Sequence, residues 1–127
     1  MVAAHNETNP EDFLTLAEVM MNWEKFKKKE PIYRTIINRC YLASVLQAER
    51  ILMPMVGPFP KTHEYYREVE DKLAFRGAPQ SRDKLGTLRK MRLDADYDLS
   101  IPIPEKKAEL AISTAKEVFQ HLRDEIK

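Results

Sequence analysis

The chain has 127 residues, which is enough for one domain with a single hydrophobic core and too few for two domains. Its 21 Lys and Arg against 20 Asp and Glu leave a formal net charge of +1, so any site for an anion must be local. This balance disfavours a protein that binds duplex nucleic acid or a membrane surface by bulk charge. The single cysteine, Cys40, excludes an internal disulfide and predicts a small buried apolar residue in a reducing cytoplasm.

The composition predicts helices and no membrane span. Residues 1–13, MVAAHNETNPEDF, lack the basic and apolar regions of a signal peptide, and no stretch approaches the roughly 18 apolar residues of a spanning helix. We therefore expect a soluble, cytoplasmic protein. Three glycines in the whole chain favour long helices over turn-rich strands. No P-loop, dinucleotide fingerprint or HExxH, CxxC or GxSxG motif occurs, and we expect neither a cofactor nor a metal.

Helix-start signals open the first predicted helix after residues 1–9, which are expected to fray. Asn9 can cap it, Pro10 suits its first position, and acidic residues follow in the first turn. Its predicted apolar face consists of Phe13, Leu16, Ala17, Met20 and Trp23. Four lysines are predicted to close this helix as a solvated end: Lys25, Lys27, Lys28 and Lys29.

Pro31 is predicted to open a second helix, from about Ile32 to Met53. Apolar side chains cover more than half of its circumference, which predicts a central position in the fold. They are Ile36, Ile37, Cys40, Tyr41, Ala43, Val45, Ala48, Ile51 and Leu52. The narrow polar stripe that remains is predicted to be solvated or to lie in an interface, and it consists of Arg34, Asn38, Arg39, Glu49 and Arg50.

Three further helices complete the predicted fold. Pro54, Pro58 and Pro60 with Gly57 predict a rigid connection to a third helix. Thr62 can cap that helix, which is predicted to end near Gly77 with Tyr66, Val69 and Leu73 inside. Residues 101–104, IPIP, separate a fourth helix from the last one. The apolar residues of the last helix recur at spacings of three and four residues: Ala108, Ala111, Ile112, Ala115, Val118, Phe119, Leu122 and Ile126. The prediction is a single all-α domain over residues 1–127, an antiparallel up-and-down bundle of about five helices.

The fourth helix carries the most informative feature, an arginine on an apolar side. In residues 85–97, LGTLRKMRLDADY, the side chains of Leu85, Leu88, Arg92 and Ala95 share one side of a helix. Arg92 must therefore be paired in the core, lie in an interface or face an anion. The simplest alternative is an ion pair with Asp96 one turn later, worth only about 0.2–0.5 kcal/mol.

Other candidate side chains give weaker signals. The histidines, His5, His63 and His121, are scattered, and each is predicted to be a surface residue. Tyr65 and Tyr66 straddle the start of the third helix and are predicted to provide one core and one rim side chain.

Two segments resemble a known family. These segments are residues 34–52, RTIINRCYLASVLQAERIL, and residues 88–97, LRKMRLDADY. Together with the long last helix, they resemble the HEPN superfamily, the higher eukaryote and prokaryote nucleotide-binding domains. Small stand-alone prokaryotic members are the most similar, and Arg-x-x-Ala-Asp-Tyr at residues 92–97 is the most specific element. The resemblance implies a homodimeric bundle in which the fourth-helix motifs of two protomers face a shared cleft. Many such proteins are metal-independent ribonucleases, and these are often toxins paired with a small nucleotidyltransferase antitoxin.

The resemblance also implies a site. Arg92 fills the position of the family's catalytic arginine, with Asp96 and Tyr97 beside it, and we predict Arg39 and Arg89 as ligand-binding residues. The family's active motif has a histidine four to six residues after the arginine, whereas positions 96–98 here are Asp, Tyr and Asp. Loss of a positioned general base typically costs roughly 10²–10⁴ in rate.

Three hypotheses follow. The first is a HEPN-like, RNA-associated protein of the ribonuclease-toxin type, from a toxin–antitoxin or defence system, with weak or absent metal-independent RNA cleavage around Arg92, Asp96 and Tyr97. The second is a non-catalytic dimeric interaction module that binds a nucleotidyltransferase or a nucleotide, with Tyr97 as a candidate for attachment of AMP. The third is a structural bundle in which Arg92 and Asp96 form a buried pair that fixes the helix register.

Overall fold

A computed structural model of the chain describes residues 8–24 and 27–126. These residues form five helices: α1 (Pro10–Met20), α2 (Glu30–Val56), α3 (Tyr65–Phe75), α4 (Pro79–Tyr97) and α5 (Glu105–Glu125). The helices pack into one bundle, and no strand occurs within the described ranges. The predicted all-α bundle of five helices is confirmed. None of the described helices combines the length and the apolar character that a membrane crossing requires.

Helix α2 lies at the centre of the bundle, as its wide apolar surface predicts. It packs against each of the other four helices, and Ile36, Ile37 and Cys40 are fully buried along it. The prediction that Pro54 belongs to the following connection is wrong, because α2 continues through Pro54 to Val56. Pro54 has no N–H to donate to the Arg50 carbonyl one turn earlier. The helix ends three residues after it, at Gly57, whose φ of 84° favours glycine.

The predicted start of α1 is confirmed, and its predicted face is confirmed in part, since Ala17 and Met20 are buried. Its predicted end is wrong. The Asn9 backbone N–H donates to the Asp12 carboxylate at 2.8 Å, which closes the first turn. The helix ends at Met20, before the four lysines that were predicted to close it. Lys25 lies outside the described residues, and so does most of the segment 1–9 that was expected to fray. Leu14 is buried, whereas Leu16 is 40% exposed and Trp23 is 47% exposed.

Helices α3 and α5 follow their predicted faces. Val69 and Leu73 are fully buried on α3 as predicted. Tyr66, which was predicted to lie inside with them, is only half-buried, and Tyr65 is the more buried of the two tyrosines. On α5 the predicted positions are buried, except for two that are half-buried, Ile112 and Ile126. The sequence periodicity therefore identifies the inner sides of both helices.

Two residues of the α2 polar stripe are not solvated as predicted. The Arg34 side chain is 12% exposed and extends to the C-terminal end of α4. Glu49 is 8% exposed, since Lys61 Nζ lies 2.7 Å from its Oε2 and the Tyr65 hydroxyl donates to its Oε1. Burial and this hydrogen bond raise the pKa of Tyr65 far above the ordinary value, so the phenol stays protonated.

Both ends of α4 are held by side chains from distant helices. At its N-terminus, the Glu125 carboxylate accepts the backbone N–H groups of Gln80 and Ser81 at 3.0 and 2.8 Å and the Ser81 hydroxyl at 2.6 Å. At its C-terminus, Arg34 donates to the carbonyl oxygens of Asp94, Ala95, Asp98 and Ile101 at 2.6–3.2 Å. The Glu125 contacts and the hydrogen bond to the Ala95 carbonyl satisfy backbone groups that a helix leaves without internal partners. The Asp94 carbonyl also accepts the Asp98 N–H at 3.3 Å.

The contact of Glu125 with α4 predicts a pH-dependent contribution to stability. Burial alone would raise the pKa of Glu125, but hydrogen bonds from Ser81 and Gln80 outweigh it, so the pKa lies below the ordinary value. A lowered folded-state pKa means stabilisation that is present above the unfolded pKa and lost as the pH falls through the folded one. We expect Glu125→Gln to reduce the free energy of unfolding by about 1 kcal/mol at neutral pH. Urea unfolding followed by circular dichroism at pH 7 and pH 3 should show this loss shrinking at acid pH, and an equal loss at both values would contradict it.

Candidate functional site

Arg92 projects from the otherwise apolar inner side of α4. Leu85 and Leu88 on this side are fully buried and Ala95 is 2% exposed, which confirms the predicted shared face. The Arg92 side chain is 17% exposed, so its guanidinium group reaches the edge of the bundle. An arginine in such a position needs partners for its charge.

The first partner of Arg92 is the carboxylate one turn later. Arg92 Nε donates to Asp96 Oδ2 at 3.1 Å, as the simplest prediction for this helix requires. Asn38 Nδ2, from α2, donates to the same oxygen at 2.9 Å. Asp96 is therefore fixed between two helices, and its side chain is 23% exposed.

Three tyrosine rings from three helices surround the Arg92 guanidinium. Its central carbon lies 5.3 Å from the ring centroid of Tyr66 on α3, 5.6 Å from that of Tyr97 on α4 and 5.8 Å from that of Tyr41 on α2. These distances are within the range of cation–π attraction. Arg92 also donates through Nη2 to the Tyr97 hydroxyl at 3.3 Å. Sequence reasoning missed Tyr41 and Tyr66, because no short motif links α2 and α3 to the fourth-helix element.

The tyrosines differ in their access to solvent. Tyr97 is 69% exposed, so the residue predicted to be modified presents its ring and hydroxyl outside the bundle. Tyr41 is 1% exposed, and its hydroxyl has no hydrogen-bond partner among the described residues. Burial raises the pKa of Tyr41 well above the ordinary value, which keeps this phenol neutral. Arg92 thus lies between the buried ring of Tyr41 and the exposed ring of Tyr97.

The two predicted ligand-binding arginines lie in different surroundings. Arg89, one turn before Arg92 on α4, is paired with Glu70 of α3 at 2.7 Å. Arg39 faces α1, where its guanidinium lies 5.9 Å from the centroid of the Phe13 ring. The structure therefore places Arg89 near the Arg92 site with its charge compensated, and it does not bring Arg39 to the Arg92 contacts.

Neither histidine of the described residues lies at Arg92. The His63 side chain is 91% exposed and lies 4.0 Å from Glu64. His121 is close to Glu125, whose carboxylate binds Ser81 at the N-terminus of α4. The rise of α4 from Ser81 to Arg92 is about 16.5 Å at 1.5 Å per residue. Neither is hydrogen-bonded to Arg92, and His5 lies outside the described residues. The described ranges also contain no cluster of three His, Cys, Asp or Glu side chains that could hold a metal ion.

This geometry suits binding of an anion beside an aromatic ring better than acid–base chemistry. A guanidinium group is a strong partner for phosphate oxygens, and an exposed phenol ring can stack on a base. Metal-free RNA cleavage needs a base for the 2′-hydroxyl and an acid for the leaving oxygen in addition to a cation. Asp96 is the only carboxylate bonded to Arg92 in the described residues, and its Oδ2 already accepts two hydrogen bonds.

No family model, curated protein or solved structure matched this chain in three separate comparisons.

Proposed function

We propose that this chain is a HEPN-like, RNA-associated protein that binds single-stranded RNA at Arg92 and Tyr97 without efficient cleavage. The observation that carries this proposal is the Arg92 guanidinium at the edge of the bundle, with the exposed Tyr97 ring beside it. The resemblance of residues 92–97 to the HEPN motif supports the assignment of an RNA ligand.

Arg92 and Tyr97 would contact different parts of the RNA because their side chains differ in chemistry. Arg92 would bind a phosphate, because a guanidinium group presents several N–H donors in one plane. Tyr97 would stack on the adjacent base, a contact worth about 1–3 kcal/mol per base in single-strand binding proteins. This local site needs no overall positive charge, and the formal net charge of +1 is consistent with it.

The proposal places this protein among the toxin–antitoxin or defence proteins that the resemblance implies, as a homodimer with impaired or lost ribonuclease activity. Positions 96–98 hold no histidine, which supports binding over cleavage. Without a positioned general base, cleavage should be slower by roughly 10²–10⁴ than in a site that has one.

Substitution of Arg92 tests the proposal directly. We expect Arg92→Ala to weaken binding of a fluorescein-labelled single-stranded RNA at least about tenfold, because a phosphate contact and its released counterion are lost. Fluorescence anisotropy at several salt concentrations should also show a lower salt dependence, by about 0.7 in log–log slope for one contact. Arg123→Ala, at an exposed arginine near the far end of α5, has the same charge change and is the matched control.

The outcomes separate the three hypotheses. Equal binding by wild type, Arg92→Ala and Arg123→Ala would contradict the RNA site, and no binding at all would favour an interaction module with a protein partner such as a nucleotidyltransferase. Cleavage of the RNA in EDTA that Arg92→Ala abolishes would show an active ribonuclease. A change in melting temperature with unaltered RNA binding would favour a purely structural ion pair.

A further inference from the structure

The side of α4 that carries Tyr97 continues along the helix beyond the proposed RNA site. Four residues on this side follow one another at spacings of four, three and four, and we call them the outer row of α4: Gly86, Lys90, Leu93 and Tyr97. Leu93 is 42% exposed, Tyr97 is 69% exposed and Lys90 is also exposed. From Tyr97 to Gly86 the outer row extends about 16.5 Å toward the N-terminal end of α4, at 1.5 Å per residue.

The charges of this segment change sign on the two sides of Arg92. Residues 79–91 contain four Lys or Arg and one Asp, whereas residues 93–98 contain three Asp and no Lys or Arg. Hydrogen bonds from Ser100 lower the pKa of the exposed Asp98, so this carboxylate next to Tyr97 stays ionised. Lys90 forms no ion pair with any described residue. A chain of phosphates that starts at Arg92 is therefore attracted toward Lys90 and repelled from Asp98.

A polar cavity between α3 and α4 adjoins the outer row at Gly86. It has a volume of about 380 Å³, and its walls include Glu70, Asp71, Arg82, Gly86, Arg89 and Lys90. The two arginines are already paired with carboxylates, so Lys90 is the cation of these walls that remains for a phosphate. The walls supply hydrogen-bond donors and acceptors, which suits the ribose hydroxyl groups and base edges of a nucleotide.

We propose that single-stranded RNA bound at Arg92 and Tyr97 continues along the outer row of α4 and ends in the cavity at Gly86. Leu93 contacts a base beyond the one on Tyr97, and Lys90 binds a second phosphate, about 10.5 Å along the helix from Tyr97. This inference rests on the proposed RNA-binding function and adds the direction and the length of the bound strand. The extended site selects strands of several nucleotides over a free nucleotide, which Arg92 and Tyr97 alone would accept.

Lys90→Ala tests the proposal with two lengths of RNA, a dinucleotide and an octanucleotide of the same base, in competition with the fluorescein-labelled strand. The dinucleotide has one phosphodiester, which Arg92 holds, so it does not reach Lys90. We expect Lys90→Ala to weaken the octanucleotide about fivefold, to lower its salt dependence by about 0.7 in log–log slope and to leave the dinucleotide unchanged. Lys106→Ala is the matched control, because Lys106 is an exposed lysine at the start of α5, which follows the acidic end of α4.

Leu93→Ser tests the apolar part of the outer row. It should weaken the octanucleotide several-fold with an unchanged salt dependence, because contact between an apolar side chain and a base releases no counterion. Leu110→Ser is the matched control, since Leu110 on α5 is 53% exposed and lies off the proposed path. Circular dichroism verifies that each variant keeps its helix content.

The results distinguish failure of this inference from failure of the proposed function. If Arg92→Ala weakens the octanucleotide while Lys90→Ala and Leu93→Ser bind it as well as their controls do, RNA binds at Arg92 and the path along α4 is wrong. If Arg92→Ala leaves the octanucleotide unchanged, the proposed function fails and the path fails with it. A larger loss from Lys106→Ala than from Lys90→Ala would also overturn the path, because the strand would then leave Arg92 in the opposite direction.

Discussion

Arg34→Ala is expected to lower the free energy of unfolding by about 3 kcal/mol, the largest loss among the polar substitutions proposed for this protein. Arg34 donates to four carbonyl oxygens at the C-terminal end of α4 and to the Glu30 carboxylate at 2.9 Å. Glu30 in turn accepts the Ile103 N–H at 3.1 Å, so a single pair of side chains ties residues 94–103 to α2. Removing Arg34 leaves the part-buried carbonyl oxygens of Ala95 and Ile101 without a donor among the described residues, and that penalty exceeds the value of an ordinary hydrogen bond.

Urea unfolding measures this loss against a control on the same helix. Arg50 is exposed and donates to the Asn9 side chain at 3.0 Å, so Arg50→Ala should change the free energy of unfolding by no more than about 0.5 kcal/mol. Arg34→Lys keeps the charge but lacks the forked guanidinium group, and we expect an intermediate loss. If Arg34→Ala lowered the free energy of unfolding no more than Arg50→Ala does, water would be replacing the hydrogen bonds that Arg34 makes.

Asp96→Asn is expected to increase the affinity for single-stranded RNA about tenfold. The Asp96 carboxylate competes with an incoming phosphate for Arg92 Nε and repels that phosphate. Two like charges about 4 Å apart repel by about 1 kcal/mol in water and by more near a protein surface, and 1.4 kcal/mol corresponds to a factor of ten. An asparagine in place of Asp96 removes the charge and keeps an oxygen to accept the Asn38 hydrogen bond.

The anisotropy assay described for Arg92→Ala also measures this effect. Asp83→Asn is the matched control, because Asp83 is an exposed aspartate near the other end of α4 and pairs with Arg82 at 3.2 Å. It should leave the RNA affinity unchanged. If Asp96→Asn instead weakened binding as Arg92→Ala does, the carboxylate would position Arg92 for the phosphate, and the competition would be disproved.

Local sequence patterns predicted helices well where one side of the helix is clearly apolar. Helix α5 and the Leu85, Leu88 and Ala95 side of α4 are examples, since the 3.6-residue period leaves a single choice of inner face. In α1 the segment FLTLAEVM is apolar on more than one side, so periodicity does not separate the side with Leu14 from the side with Leu16. The core decides between them through packing with α2 and α5, which local periodicity does not describe.

The candidate site was predictable only in its helical part. The sequence spacing identified Arg92 and Asp96 as a pair one turn apart, and the structure contains this ion pair. The aromatic surroundings depend on Tyr41 and Tyr66, which are brought together by the packing of α2 and α3. The burial of Glu49 was not predicted for the same reason. Its partner Tyr65 follows the proline-rich connection that returns the chain to α2. Such long-range pairs leave no local pattern.

The closure of both ends of α4 by remote side chains has a consequence for the order of folding. Glu125 is 44 residues from Ser81 in sequence, and Arg34 is 60–67 residues from the carbonyl groups that it binds. Contacts this distant require closure of long chain loops, whose entropic cost delays them relative to local helix formation. Helix α4 can therefore acquire stable ends only after α2 and α5 have docked on it. We therefore expect Arg92 to meet the rings of Tyr41 and Tyr66 late in folding, when the bundle is assembled, whereas its contacts with Asp96 and Tyr97 are local to α4.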